Sequence, residues 1–185
     1  KIAQAINSSP TNELQAVMSN NSSRAISFAK NWRAKEYFTS LDKLLKSPKI
    51  DAVFIASPNY KHAEQSLAAL KMKKHVLCEK PMSITLQESL VIKKLVQKNK
   101  IKFGVGFHLR YHPLFQTIQK IITSNELGEL RLIEMHWSTG NLGEIKFTPL
   151  PKYRRWRENL AQSGGGAITS RGVHLFDLFN FITGK

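Results

Sequence analysis

The sequence predicts an α/β protein. A doubly wound parallel sheet is expected over residues 1–108, followed over 109–185 by the start of an α+β domain. Three observations carry this. Short apolar runs alternate with stretches of helical periodicity, as in strands joined by crossover helices. One run, Ala52-Val53-Phe54-Ile55-Ala56, is continuously apolar, as expected of a strand buried on both faces. After about residue 108 the alternation stops and the pattern changes.

Taken in order, Lys1 to Ile6 reads as a helix and Leu14 to Met18 as a short strand. Ser22 to Asn31 reads as a helix. A second runs from its cap at Ser40 to Lys46, with Leu41, Leu44 and Leu45 on one face and Pro48 ending it. After the 52–56 strand, a Ser57-Pro58-Asn59 turn opens a helix with Ala63, Leu67 and Leu70 facing inward. His75 to Cys78 is the next strand. Thr85 and Glu88 form a capping box before a helix carrying Ile92, Leu95 and Val96, and Lys102 to Gly106 is the last strand of the set.

In the second half, Leu114, Ile118, Ile121 and Ile122 mark an amphipathic helix, and Glu126-Leu127-Gly128 a turn. Leu130 to Ser138 alternates as one long strand, too little for an independent sheet. Residues 139–166 read as irregular, with Pro149, Pro151 and a Gly164-Gly165-Gly166 run. A last helix places Leu175, Leu178, Phe179 and Ile182 on one face, with Gly184 past its end.

Composition narrows the function classes. Lys and Arg number 28 against 13 acidic residues, a net charge of +15. Clustered cations neutralise phosphates, yet no zinc-finger spacing, basic zipper or aromatic RNA-binding strand accompanies them. Lys71, Lys73 and Lys74 close one helix and Lys93, Lys94, Lys98 and Lys100 another, where cations suit the carboxyl end. A solvated basic surface is the reading, with no nucleic-acid partner. No apolar run reaches membrane-spanning length. The single cysteine, Cys78, fits a reducing cytoplasm. His75, His108, His112 and His136 show no metal-ligand spacing, so no metal is expected.

The stretch with most chemical content is His75 to Pro81. An apolar strand runs into Glu79-Lys80-Pro81 and places an amine at a strand's carboxyl end, where open α/β sheets bind ligands. Other residues read two ways. His62 suits a helix-entry cap as well as a ligand contact, and His174 stands opposite its helix's apolar stripe, where it would be exposed. Gly164 to Gly166 is either a flexible turn or a close approach of backbone to a ligand.

Five motifs occur in register: Ala52 to Pro58; Asn59 with His62; Lys74 to Pro81; Gly106 with Arg110; and Gly164-Gly165-Gly166-Ala167 with Gly172-Val173-His174. Together they resemble the glucose–fructose oxidoreductase/inositol dehydrogenase (Gfo/Idh/MocA) family over nearly the whole chain. The resemblance implies a Rossmann-like, two-domain NAD- or NADP-dependent oxidoreductase acting on a sugar, cyclitol or similar alcohol. It implies that Lys80 contacts both the nicotinamide ribose and the substrate hydroxyl, across a bond to Pro81 that is often cis, and that His174 is the general acid/base. Ser57, Pro58, Asn59, His62, Glu79 and Pro81 would line the cofactor crevice. Arg110, Trp156 and Arg157 would touch substrate or a cofactor phosphate, Ser170 would face substrate, and the complete protein would be a homo-oligomer.

Two departures stand out. The family pattern has Asp four residues before the histidine, where this chain has Ser170. A hydroxyl orients an imidazole without stabilising its cation, so weakened acid/base chemistry, or a silent ligand-binding relative, is the competing expectation. There is also no Gly-x-Gly-x-x-Gly. The first strand and its phosphate cradle are therefore expected upstream of residue 1, and the rest of the second domain beyond residue 185. After Met18 the chain reads Ser19-Asn20-Asn21, then Arg24. With no carboxylate to repel a 2′-phosphate and an arginine to attract one, NADP is expected over NAD.

Overall fold

A computed structural model describes residues 2–137 and 150–184. By contact the chain forms two compact units. One comprises Lys1–Ile55, Glu64–Leu77 and Ile92–Phe103; the other comprises Ala56–Ala63, Cys78–Val91 and Gly104–Lys185. Among the described residues no helix is long and apolar enough to cross a membrane.

The first unit opens with α1 (Ile2–Ser8), whose Ala3 is buried. β1 (Ala16–Met18) pairs in parallel with β2 (Glu36–Phe38), Ala16 opposite Glu36 and Met18 opposite Phe38. β2 opens on the charged Glu36 and so lacks the apolar run that marks β1 and β5, which are equally short. The crossover is α2 (Ser22–Trp32), held at its start by Asn21, whose side-chain oxygen accepts from the Arg24 N–H at 2.8 Å. α3 (Leu41–Lys46) starts at Ser40 as expected and buries Leu44 and Leu45.

β3 (Ala52–Ile55), β4 (His75–Cys78) and β5 (Phe103–Val105) make a second sheet in that order. The bonds Val76 N–H to Lys102 C=O and Gly106 N–H to Cys78 C=O climb both strands together, the parallel sense. The crossovers are α4 (Asn59–Lys71) and α5 (Leu86–Asn99). The capping box before α5 forms as read: Glu88 N–H donates to Thr85 Oγ1 and Thr85 N–H to Glu88 Oε2, both at 3.2 Å. Lys74, read as one of the solvated lysines, is half-buried and donates to the carbonyls of Ser47 and Ile50 at 2.9 and 2.7 Å.

The expectation of two-sided burial for β3 is corrected. Ala52 is exposed, Val53 and Phe54 are half-buried, and only Ile55 is buried. β4 alternates, with Val76 and Cys78 buried and His75 and Leu77 open. An apolar run records a strand's tolerance for burial, and cover comes from neighbours that the run does not specify.

The second unit holds α6 (Pro113–Thr123), α7 (Leu160–Ser163) and α8 (Val173–Thr183). A 3₁₀ turn at His108–Tyr111 precedes α6, and a second at Lys152–Arg157 and a π turn at Ile168–Gly172 lie between the helices. Gln119 of α6 donates to the Phe181 carbonyl of α8 at 2.8 Å.

Three expectations change here. Residues 130–137 form no strand, because nothing among the described residues pairs with them; Leu132 is 73% exposed. Alternation alone satisfies no backbone group, and a strand needs a ladder partner. The rest of that strand at Ser138, and residues 139–149 of the irregular stretch, lie outside the described residues, while 150–166 contain two short helical segments. Finally, α8 buries His174, Asp177, Leu178 and Ile182, whereas Phe179 is open. The helix face that packs thus includes two ionisable residues that an apolar stripe cannot reveal.

Candidate active site

The second unit brings the Glu79-Lys80-Pro81 turn and His174 together. Cys78, fully buried, anchors the end of β4, and the Lys80–Pro81 peptide that follows is cis. Lys80 is half-buried, and its Nζ donates to the main-chain carbonyl of Ser170. Burial lowers its pKa. Glu79 opposes that shift, while the charges of Arg157 and Arg171 deepen it. An ammonium has three hydrogens, so one bond to Ser170 leaves two for a ligand.

His174 stands in the first turn of α8, four residues after Ser170, and is 5% exposed rather than open as the stripe suggested. Trp137 stacks on its ring at 5.6 Å and 23°, and His108 and Phe107 meet it edge-on at 5.2 and 6.1 Å. Burial pushes its pKa down to about 4, with the charges of Lys80 and His108 adding to the shift and Asp177 opposing it. The ring is therefore neutral at pH 7. Its Nδ1 is buried with no hydrogen-bond partner among the described residues. Ser170 thus acts through its main chain on Lys80, and the expected orienting bond from its hydroxyl to that nitrogen is not made.

Trp137, Phe107 and His108 were not legible as a ring cage, since nothing in the sequence announces contacts from so far away. Asp177 was legible in principle, because position i+3 on a helix shares a face with His174. It binds Arg110 through both oxygens: Arg110 Nε donates to Oδ1 and Oδ2 at 3.0 and 2.9 Å, and Nη2 to Oδ1 at 2.6 Å. Arg110, expected at substrate, thus has an internal partner, which raises its pKa mainly through that hydrogen bonding. The pair is asymmetric, with the Asp177 side chain 5% exposed and that of Arg110 42%. Arg110→Leu strands a buried carboxylate and is expected to cost about 3 kcal/mol; Asp177→Asn leaves a guanidinium that water can reach and should cost about 1 kcal/mol. Urea unfolding of the two variants checks the order.

The glycine run is a backbone requirement. Gly164, Gly165 and Gly166 have φ of 79, 135 and 58°, all left-handed or beyond. A Cβ on Gly164 would stand 2.7 Å from Ile84 Cγ2 and 3.2 Å from Ile84 Cα. Gly164→Ala is therefore expected to destabilise by about 2 kcal/mol or more, read as a fall in Tm.

The other expected site residues are placed as follows. Asn59 donates to the Ser163 carbonyl at 2.9 Å, linking the start of α4 to α7. The Ser57 Oγ is buried and unpartnered among the described residues, and Pro58 accepts from the Lys61 N–H at 2.8 Å. Glu79 accepts from the Lys80 N–H at 3.3 Å. His62 is 1% exposed, with Nδ1 2.6 Å from the Pro81 carbonyl and Nε2 2.8 Å from that of Ser57. Expected at the cofactor, it has both ring nitrogens against main-chain carbonyls. Arg157 lies over the Trp156 ring at 4.4 Å, its pKa lowered by burial and then by Arg154. In the first unit, Arg24 Nε donates to Ser19 Oγ at 2.9 Å and Nη2 to Asn20 Oδ1 at 3.1 Å, which steadies the guanidinium beside the end of β1.

Residues 1–107 match the family model described as "Oxidoreductase family, NAD-binding Rossmann fold", and residues 115–185 the "GFO/IDH/MocA C-terminal domain". The chain is 33% identical over 178 residues to glucose-6-phosphate 3-dehydrogenase of Bacillus subtilis, covering 95% of this chain and 48% of that protein. It is 30% identical over 173 residues to inositol 2-dehydrogenase of Corynebacterium glutamicum, covering 93% and 47%. Solved structures that it resembles include an oxidoreductase domain protein of Kribbella flavida (TM-score 0.84, 27% identity, 98% of this chain and 50% of that one). Another is levoglucosan dehydrogenase in complex with NADH (TM-score 0.80, 26% identity, 94% and 46%). The chain spans about half the length of the curated relatives it matches.

Proposed function

Since this chain belongs to the GFO/IDH/MocA oxidoreductase family, we propose that the protein moves a hydride between a nicotinamide dinucleotide and a sugar or cyclitol, with Lys80 anchoring the reacting oxygen and His174 taking or returning its proton. The observation that carries this reading is the contact of Lys80 Nζ with the Ser170 carbonyl, which brings the amine to the turn before His174 within one compact unit.

The residues present suit such a ligand. Ser57 Oγ and His174 Nδ1 are buried polar atoms without a protein partner among the described residues, and polar groups of a ligand would satisfy atoms of this kind. Bound nicotinamide supplies the hydride chemistry. Lys80 holds the substrate hydroxyl by a charge-assisted hydrogen bond and so sets its direction. His174, neutral at pH 7, accepts the hydroxyl proton as the carbon is oxidised. The ring cage of Trp137, Phe107 and His108 limits how the imidazole turns and keeps water from it. In its neutral form His174 is the proton acceptor that alcohol oxidation needs.

Arg24, held on Ser19 and Asn20, is the group proposed to prefer a 2′-phosphate and hence NADP. Arg24→Ala is expected to raise the KM for NADP about tenfold and to leave that for NAD unchanged. The test of the whole reading uses the full-length protein with NAD and NADP and a panel of cyclitols, hexoses and hexose phosphates, followed at the nicotinamide absorbance. Absence of turnover with every member of the panel would count against it.

A further inference from the structure

We infer that His62 is a positioning residue for Lys80, a strut between the two turns at the carboxyl ends of β3 and β4. This rests on the role of Lys80 proposed above. His62 is 1% exposed and spends both ring nitrogens on main-chain carbonyls, so it has nothing left to offer a ligand. One carbonyl belongs to Ser57, in the turn after β3. The other belongs to Pro81, the residue directly after Lys80.

The chemistry of the two contacts makes the strut specific to histidine. The carbonyl oxygens lie 2.8 and 2.6 Å from ring nitrogens on opposite sides of a rigid plane. A ring carrying one hydrogen serves one carbonyl, and the doubly protonated ring serves both. The rigid five-membered ring therefore sets the spacing of the two turns, which a flexible side chain would not. His62 sits in the first turn of α4, on the face that also buries Ala63, Ser66, Ala69 and Leu70, so its backbone is held by the helix. Asn59, three residues earlier, ties the same turn to the carbonyl of Ser163 at 2.9 Å. The strut ends one residue from Lys80, whose Nζ rests on Ser170. A shift of the Pro81 carbonyl is thus carried directly into the place of the amine. Displacement of a reacting group by about 1 Å can lower a rate by about a hundredfold.

The test compares His62→Phe, which keeps a ring and loses both ring nitrogens, with His62→Gln, which keeps an amide donor, in the full-length protein. Two quantities are read. One is kcat and KM for the preferred substrate. The other is the rate at which trinitrobenzenesulfonate labels Lys80, followed by peptide mass spectrometry, which needs no turnover. The expected result is a graded fall in kcat, about thirtyfold for Phe and less for Gln, with KM for the dinucleotide little changed. Lys80 labelling should change in the same order. Should His62→Phe fail to fold, the folded His62→Gln variant decides by the same two readings. Wild-type kcat and wild-type Lys80 labelling in a folded variant would overturn the inference. If the natural protein turns over none of the panel, the proposed function fails by itself, and the labelling rates still judge the strut.

Discussion

Lys80→Met in the full-length protein is expected to lower kcat about a thousandfold while the dinucleotide still binds. Methionine retains most of the stem, so the end of β4 and the buried Cys78 beside it keep their packing. What disappears is the half-buried ammonium, whose pKa burial lowers and whose Nζ rests on the Ser170 carbonyl. Lys80→Arg should not rescue the rate, because a planar fork cannot occupy the place of a compact, desolvated amine. Steady-state kinetics with both coenzymes checks this. Turnover close to that of the natural protein in Lys80→Met would remove Lys80 from the chemistry.

His174→Asn is expected to lower kcat about a hundredfold to a thousandfold, the range of a lost general base. The natural protein should also show a distinctive pH profile. With a pKa of about 4, the ring remains a proton acceptor through the region where an ordinary histidine titrates. Alcohol oxidation should therefore hold its kcat/KM as pH falls past 6.5 and lose it only near 4. An acid limb at about 6.5 would show that the ring is solvated in the working enzyme. The same shift bears on stability. The unfolded ring, at its ordinary 6.5, binds a proton more readily than the buried one. The stability that this group contributes is thus complete above 6.5 and is lost progressively as pH falls toward about 4. Comparing Tm across that window for the natural protein and His174→Asn checks the sign, since the variant should lose less.

Local chemistry explains which elements were legible. Ser40, Thr85 with Glu88, and Gly184 all act on backbone groups within a few residues, so α3, α5 and the end of α8 fall where capping rules put them. β2, opening on Glu36, showed no apolar run, and residues 130–137 showed a period without a partner among the described residues. Burial went astray for a related reason. β3 was apolar enough for two-sided cover and has less, while α8 packs the face that holds His174 and Asp177.

The sequence by itself determined the alternation of strands and helices apart from β2 and residues 130–137, the amine at the end of β4 and the family motifs, because each depends on residues close together in the chain. Tertiary structure decided what surrounds those residues. It set the ring nitrogens of His62 against the carbonyls of Ser57 and Pro81, gave Arg110 the carboxylate of Asp177, and enclosed His174 among Trp137, Phe107 and His108. It also engaged the main chain of Ser170 where only its side chain had been weighed. The physical reason is common to all four. Desolvation and hydrogen-bond partnership are set by atoms distant in sequence, and these two quantities decide whether an ionisable side chain faces a ligand or braces one that does.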